Sequence, residues 1–269
     1  MKEEFMRRFN RSVKVNMVRD AFGVALLRLK PSLWPCMDKK YLVVGCESSG
    51  TTVISHLLLI NKGARFLYEG YNIWVRDLYK SVYQGKSHVR DYPRLQLYDR
   101  MKIPGFASIL PEFVAEFPNT DTVYILRDPR DMIASAFKSF KVVTREDRDK
   151  IRWAKETWID ITGDDPVERM AHRWKLYLAR CEPVKGVRFV RYEDFCADKE
   201  GFIKKLGSQL GIEIDTERLN QKKNAQASDE DARAYKPRGP GAWKELLEKD
   251  DVSKIEKICG DYMRKWGYL

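Results

Sequence analysis

The sequence predicts a single α/β domain in three layers, with a central, mostly parallel sheet of four or five strands between helices. Short runs that are expected to form strands recur along the chain and alternate with stretches that suit helices. These runs are 41–44, 64–68, 96–103, 122–126 and 187–191. A glycine-rich, P-loop-like turn joins the first run to a helix. The 269 residues are enough for one large domain, and no internal repeat or long Gly/Ser linker divides them.

The first strand, Tyr41–Val44, leads into Gly45–Thr52, which reads GCESSGTT, and then into a helix. Glycines let successive backbone N–H groups turn inward, and the positive end of the following helix adds to the attraction for phosphate. The glycine spacing is that of a P-loop. However, Thr51 stands where a nucleotide triphosphatase needs lysine to reach the β- and γ-phosphates. The loop therefore predicts a phosphate site of another kind, with an ordinary strand-to-helix turn as the plainer alternative.

The strand at 122–126 ends in Arg127, where a Mg²⁺-dependent triphosphatase would need an aspartate. Asp128 suits the N-cap of the next helix, which is expected over Arg130–Phe140. Arg127 then stands beside a helix N-terminus with a guanidinium suited to phosphate, and Ser135 lies two turns into that helix. These residues predict a second phosphate site, with a surface ion pair of Arg127 as the simpler alternative.

These motifs, together with two later ones, resemble those of the sulfotransferases that use 3′-phosphoadenosine 5′-phosphosulfate (PAPS). Ser48–Thr52 is similar to the family's 5′-phosphosulfate loop, and Tyr124–Asp131 with Ser135 is similar to its 3′-phosphate element. Tyr192-Glu193-Asp194 resembles the segment that closes on the adenine. Arg238–Lys244 resembles the family's C-terminal glycine-rich segment. The order and spacing of the motifs extend over most of the chain.

The resemblance implies PAPS as the donor, adenosine 3′,5′-bisphosphate as the product, and no metal. It assigns donor binding to Ser48, Ser49, Gly50, Thr51, Thr52, Arg127, Ser135, Tyr192, Arg238 and Gly239. The stretch 220–245 contains a Pro- and Gly-rich part and is expected to form a lid loop over the nucleotide. Residues 1–35 are expected to form a helical N-terminal extension of a single sulfotransferase domain that spans 1–269.

One departure from the family concerns the charge on the leaving group. Family members usually carry Lys or Arg where this chain has Ser48. Lys102, near the end of a predicted strand, resembles the strand lysine near the family's catalytic site and is the candidate substitute. Glu69 follows the strand predicted over 64–68. Some sulfotransferases have a catalytic glutamate after the corresponding strand, and this resemblance makes Glu69 the candidate general base. Cytosolic members use a histidine that is absent here, and Asp99 and His88 remain alternatives to Glu69.

The charge and the hydrophobicity of the sequence limit which binding partners are expected. A net charge of +11 suits a nucleic-acid binder and also an enzyme whose donor is an anion. The basic residues are dispersed among acidic ones, so nucleic acid is not the expected partner. No apolar run reaches about 18 residues, so no membrane partner is expected. The five cysteines are scattered without a C-x-x-C motif, as in a cytoplasmic protein.

The predicted function is transfer of a sulfuryl group from PAPS to a hydroxyl or amine of a small-molecule acceptor in the cytoplasm. Tailoring of a polar natural product is favoured, with a guanidinium alkaloid of the saxitoxin type as one option, and a homodimer is left open. Trp153 and Trp158, in sequence that reads as helical, are expected to pack in the core, with acceptor contacts as the alternative. The rival functions are a P-loop kinase of a small molecule and a non-catalytic module that binds nucleotide or nucleic acid.

Overall fold

The computed structural model describes residues 39–59, 65–69, 73–214 and 239–269, which are built around a five-stranded sheet. The strands are β1 Lys40–Gly45, β2 Phe66–Tyr68, β3 Arg100–Lys102, β4 Thr120–Leu126 and β5 Val187–Arg191. Their order across the sheet is β2-β3-β1-β4-β5, and every pairing is parallel. The predicted fold class is therefore confirmed.

Helices connect and cover these strands. In chain order they are α1 Thr51–Leu59, α2 Ile73–Tyr83, α3 Leu110–Glu116, α4 Pro129–Phe140, α5 Pro166–Cys181, α6 Tyr192–Ala197, α7 Lys199–Leu210, α8 Trp243–Leu246 and α9 Lys249–Lys265. Short 3-10 helices occupy Val89–Asp91, Pro93–Leu97, Pro104–Ser108, Glu146–Lys150 and Arg152–Lys155. Within the described residues, no helix has both the length and the apolar character needed to cross a membrane.

The central strand β1 shows why the fold has three layers. Alternate residues of a strand point to opposite faces of the sheet. Leu42 and Val44 pack in one apolar cluster, which includes Trp174 of α5. Val43 packs in a second cluster, which includes Ile54 of α1. All of these side chains are almost fully buried, so both faces of the sheet are covered by helices.

The topology also places a crevice next to β1. From β1 the chain goes to β2 and β3 on one side of it, and then crosses to β4 and β5 on the other side. In open parallel sheets, ligands bind at the carboxyl ends of the strands where the direction of winding changes. The loop after β1 lies at this point.

Two local predictions are wrong. The strand expected over 96–103 is shorter, because Pro93 begins a 3-10 helix that buries Leu95 and Leu97, and β3 starts only at Arg100. The helical interpretation of the tryptophan-rich stretch fails for Trp158, which lies in irregular chain, and Trp153 lies in a 3-10 helix. It holds for Trp174, which lies in α5 after Asp165 caps that helix.

Several predictions lie wholly or partly outside the described residues. These are the extension 1–35, the part of the lid that runs from 220 to 238, and Arg238 itself. The division into a single domain of residues 1–269 stays a prediction as well.

Candidate active site

The carboxyl ends of the five strands lie along one edge of the sheet, because the strands are parallel. β2 is followed by Glu69, β3 ends at Lys102, β4 is followed by Arg127 and β5 by Tyr192. The loop that contains Ser48 follows β1, in the middle of this edge. Residues from five separate segments of the sequence are thus brought to one side of the molecule.

The turn after β1 has a backbone shaped for an anion. Ser48 has a φ of +66° and Gly50 a φ of +87°, so both lie in the left-handed region, which is uncommon for a residue such as serine. Ser49 N–H donates to the carbonyl of Cys46 at 3.2 Å, and Ile54 N–H donates to the carbonyl of Gly50 at 3.3 Å. The first N–H groups of α1 have no acceptor within the helix, so the turn and the helix dipole together favour a phosphate.

The same loop carries three hydroxyl groups. Ser49 and Thr51 are buried and Thr52 is half-buried. The Ser49 hydroxyl finds no hydrogen-bond partner among the residues that the structure describes. A buried hydroxyl without a partner destabilises a fold. A phosphate or sulfate oxygen is the kind of group that this donor fits.

Arg127 connects the end of β4 to the loop. Its side chain is buried, and one guanidinium nitrogen donates to the carbonyl of Ser48 at 2.9 Å. The guanidinium lies over the ring of Tyr192, 4.5 Å from the ring centre. The Trp174 indole donates to the backbone carbonyl of Arg127 at 3.0 Å and fixes the strand end. Arg127 is therefore held in place, and the surface ion pair considered as the alternative does not occur within the described residues.

The position of Tyr192 also explains why residue 50 is a glycine. A Cβ atom placed on Gly50 would lie 2.2 Å from Cε2 of the Tyr192 ring. Gly50 thus serves two needs, a left-handed backbone and the close approach of an aromatic ring. The loop, Tyr192 and Arg127 form one packed unit, although no pattern in the sequence indicates this contact.

The first turn of α4 is fixed by carboxylates. The Asp128 side chain caps the helix by accepting from Arg130 N–H at 2.8 Å, as predicted, and also pairs with the Arg130 guanidinium. Glu193, which follows Tyr192, accepts from Asp128 N–H at 3.0 Å and from the Tyr268 hydroxyl at 3.0 Å. These bonds set the position of the strand end that carries Arg127.

The C-terminal glycine-rich segment lies against the same turn. Asp131 accepts hydrogen bonds from Gly241 N–H at 2.7 Å and from Trp243 N–H at 3.1 Å. Gly239 is exposed at the start of this described part of the chain, and Ser135 is half-buried further along α4. Asp131 is a contact that the sequence reading missed, although its place in the first turn of a helix is a signal for a backbone acceptor.

The two candidate catalytic residues lie on neighbouring strands. Tyr68 of β2 pairs with Lys102 of β3, and Glu69 follows Tyr68 directly. Lys102 is buried, with its ammonium 4.7 Å from the centre of the Tyr68 ring. The Tyr79 phenol of α2 interacts with Glu69 and lowers the pKa of its carboxyl. The structure therefore places a carboxylate, a cation and a phenol side by side.

The environment of Glu69 changes its acidity. Loss of hydration raises the pKa of its carboxyl above the ordinary 4.5, the ammonium of Lys102 opposes this, and the carboxylate of Glu47 adds to it. A glutamate with a raised pKa can accept a proton near neutral pH.

The two alternative bases lie in different environments. Asp99 is buried and accepts from Arg65 N–H at 2.8 Å. His88 is exposed and precedes the 3-10 helix Val89–Asp91. Among the residues that the structure describes, no three histidine, cysteine or carboxylate side chains come together as a metal site would require.

One buried group near the loop was missed entirely. Arg173 of α5 is fully buried, and its guanidinium donates to Glu47 at 3.2 Å and to Glu156 at 3.2 Å. Glu47 lies in the loop itself, just before Ser48. A charged residue inside a phosphate loop is a signal for a partner, but nothing in the sequence indicates which cation that is.

Comparisons with known proteins agree with this geometry. A family model described as the sulfotransferase family matches residues 61–216, more than half of the chain. The match begins after the loop and includes Glu69, Lys102, Arg127 and Tyr192. A search of curated protein sequences gives no significant match.

Solved structures are similar in fold at low identity. Mouse sulfotransferase SULT7A1 complexed with PAP is 17% identical, covers 84% of this chain and 85% of its own, and has a TM-score of 0.51. Sulfotransferase STF9 from Mycobacterium avium is 13% identical, covers 90% of this chain and 80% of its own, and has a TM-score of 0.54. The enzyme class predicted from the sequence, a PAPS-dependent sulfotransferase, is confirmed at the level of the family. The fold, the arrangement of the strand ends and the family match lead to one conclusion: this chain belongs to the sulfotransferase family.

Proposed function

We propose that this protein transfers a sulfuryl group from PAPS to a hydroxyl or amine of a small-molecule acceptor. The observation that carries the proposal is the contact between the two candidate phosphate elements. Arg127, at the end of β4, donates to the backbone of Ser48 in the loop after β1. Two anion-binding elements at adjacent strand ends suit a donor with phosphate groups on both the 3′ and the 5′ side of one adenosine.

Each side of the donor has its own set of residues in this proposal. The backbone N–H groups of 48–52, with the hydroxyls of Ser49, Thr51 and Thr52, bind the 5′-phosphosulfate. Arg127 and Ser135 bind the 3′-phosphate, together with Arg238 and Gly239 of the C-terminal segment. Tyr192 lies under the Arg127 guanidinium and borders the adenine. PAPS supplies the activated sulfuryl group, and the chain supplies orientation and charge.

Glu69 acts on the acceptor, and Lys102 acts on the leaving group. Glu69 accepts the proton that the acceptor hydroxyl or amine loses as it attacks sulfur. Lys102 stands in for the loop cation that Ser48 replaces, because its ammonium offsets negative charge that develops on the bridging oxygen. The Tyr79 phenol interacts with the Glu69 carboxylate and orients it.

The acceptor side is bordered by aromatic rings. The ring centres of Tyr79 and Trp158 lie 5.2 Å apart, and those of Tyr83 and Trp158 lie 5.6 Å apart. Trp153 and Trp158 are largely buried, which supports the core role expected for them. A polar natural product is the proposed acceptor class, with a saxitoxin-type alkaloid as one member to test. The same proposal includes a cytoplasmic location and a homodimer. It also includes a lid over the nucleotide that is formed by residues 220–245.

Ligand binding separates this function from its rivals. Adenosine 3′,5′-bisphosphate without Mg²⁺ is expected to raise the melting temperature strongly, since a ligand that binds only the folded state stabilises it. Stabilisation by Mg²⁺–ATP alone would indicate a kinase. A response to DNA or RNA alone, lost on adding salt, would indicate a nucleic-acid-binding module.

Turnover tests the role of Glu69. Radiolabelled PAPS and a panel of polar hydroxyl and amine acceptors identify a working substrate. Glu69→Gln is expected to lower turnover by about a hundredfold or more, the usual contribution of a general base, while it keeps the affinity for adenosine 3′,5′-bisphosphate. His88→Gln is the control and should leave turnover unchanged. Near-normal turnover in Glu69→Gln would remove Glu69 from the mechanism.

A further inference from the structure

Arg173 is the least expected charged group in the molecule. It is a fully buried arginine, 0% exposed, on helix α5, far in sequence from the strand ends. Removing a guanidinium from water is costly and is offset only by well-placed partners. Burial opposes the charged form of Arg173, yet the carboxylates of Glu47 and Glu156 help to keep its pKa raised. The arginine is therefore charged and depends on those carboxylates.

The surroundings of Arg173 leave it little freedom. Its guanidinium carbon lies 5.4 Å from the ring centre of Trp153, 5.8 Å from that of Trp158 and 6.0 Å from that of Tyr177. Rings at these distances attract a planar cation and restrict its rotation. The group that Arg173 binds is thereby fixed relative to the core.

One of those groups belongs to the donor loop. Oε1 of Glu47 accepts from the Arg173 guanidinium at 3.2 Å, and Oε2 accepts from the Cys46 thiol at 3.6 Å. The next residue is Ser48, which holds the unusual left-handed backbone and whose carbonyl accepts from Arg127. Two arginines from different elements thus hold two consecutive residues of the loop.

We infer that Arg173 is a positioning residue that keeps the donor loop in its anion-binding shape through Glu47. This inference rests on the proposed function. A loop with serine at position 48 has no side-chain cation for the phosphosulfate there. Binding by this loop then depends on N–H and hydroxyl donors, which are effective only when they are aligned before the ligand arrives. The Arg173–Glu47 pair supplies that alignment.

The second partner of Arg173 determines which variant is the cleaner test. Glu156 also binds Arg76 at 3.2 Å and Lys80 at 3.1 Å, both on α2. Arg173→Met would leave two carboxylates with a missing partner and disturb the packing around α2. Glu47→Gln removes only the charge of the loop residue and leaves Arg173 paired with Glu156.

The test isolates the 5′ side of the nucleotide. Calorimetry gives the dissociation constants of adenosine 3′,5′-bisphosphate and of adenosine 3′-monophosphate. The dissociation constant of the monophosphate divided by that of the bisphosphate is a ratio that measures the contribution of the 5′-phosphate. In Glu47→Gln and Arg173→Met this ratio is expected to shrink by about tenfold or more, the effect of losing a charge-assisted hydrogen bond. The affinity for the 3′-monophosphate should stay at the wild-type value.

A matched control is Arg148→Met. Arg148 is also buried, and both of its terminal nitrogens donate to Asp251 at 2.8 Å, but Asp251 lies on α9 and not in the loop. This variant should leave the ratio unchanged. A wild-type ratio in Glu47→Gln, or equal weakening of both nucleotides, would overturn the inference. A wild-type protein that binds neither nucleotide would instead refute the proposed function, and the inference with it.

Discussion

A single methyl group at Gly50 tests whether the loop and Tyr192 act as one unit. In Gly50→Ala the new Cβ would lie 2.2 Å from Cε2 and 2.3 Å from Cδ2 of the Tyr192 ring. These separations are more than an ångström shorter than an ordinary van der Waals contact. The ring must therefore move, and it is the ring on which the Arg127 guanidinium lies.

Two effects contribute to the expected change. The backbone of Gly50, with a φ of +87°, is strained for alanine by about 1–2 kcal/mol, which lowers the free energy of unfolding. Displacing Tyr192 weakens its contact with Arg127, which is worth about 0.5–2 kcal/mol. The second effect should appear as a loss of affinity for adenosine 3′,5′-bisphosphate of about two- to thirtyfold.

Gly186→Ala separates the two effects. Gly186 has a φ of +83°, close to that of Gly50, but a Cβ placed there would meet nothing within 4 Å. Both variants should lose the stability that the backbone strain costs, and Gly50→Ala should lose more in chemical denaturation because its Cβ also displaces the Tyr192 ring. Only Gly50→Ala should lose nucleotide affinity in calorimetry. Wild-type affinity in Gly50→Ala, or an equal loss of affinity in Gly186→Ala, would refute the coupling of the loop to Tyr192.

Three further predictions concern charge. The transfer rate should fall as pH drops through the raised pKa of Glu69. In Lys102→Met this fall should occur at higher pH, because the lysine lowers the pKa of Glu69. An unchanged pH–rate profile in this variant would contradict the interaction of Lys102 with Glu69. Because the pKa of Glu69 is higher in the folded protein than in the unfolded chain, its ionisation lowers stability as pH rises above about 4.5. Glu69→Gln should therefore melt at a higher temperature than wild type at about pH 8 and show no such gain at about pH 4, as followed by thermal unfolding. Arg148→Met should lose about 3–5 kcal/mol of unfolding free energy in denaturant titrations, because the buried Asp251 carboxylate then lacks the Arg148 guanidinium. A loss under about 1 kcal/mol would show that this ion pair contributes little to stability.

The parts of the site that follow from local backbone rules were predictable. The loop is recognisable because a glycine-rich turn between a buried strand and a helix has one recurring shape. Arg127 could be placed because a residue that follows a parallel strand lies at the carboxyl edge of the sheet. Asp128 could be assigned as an N-cap from its position before Pro129, and its side chain does accept from Arg130 N–H.

The parts that depend on distant contacts could not be predicted. Arg173 reaches a loop residue 126 positions away, and Asp131 binds Gly241, which is 110 positions away. No periodicity or spacing in the sequence links such pairs, because they are set by how α5 and the C-terminal segment pack. The strand predicted over 96–103 is too long for a related reason. Leu95 and Leu97 are apolar and buried. Apolar residues in a short run do not by themselves distinguish a strand from a 3-10 helix.

The central claim is that Arg127 and the loop after β1 bind the two phosphate groups of one nucleotide. A crystal structure with bound adenosine 3′,5′-bisphosphate tests it most directly. The claim predicts the 5′-phosphate on the N–H groups of 48–52, with the Ser49 hydroxyl as one donor. It predicts the 3′-phosphate within hydrogen-bond distance of the Arg127 guanidinium and the Ser135 hydroxyl. A nucleotide bound elsewhere, or one whose 3′-phosphate makes no contact with Arg127, would contradict it.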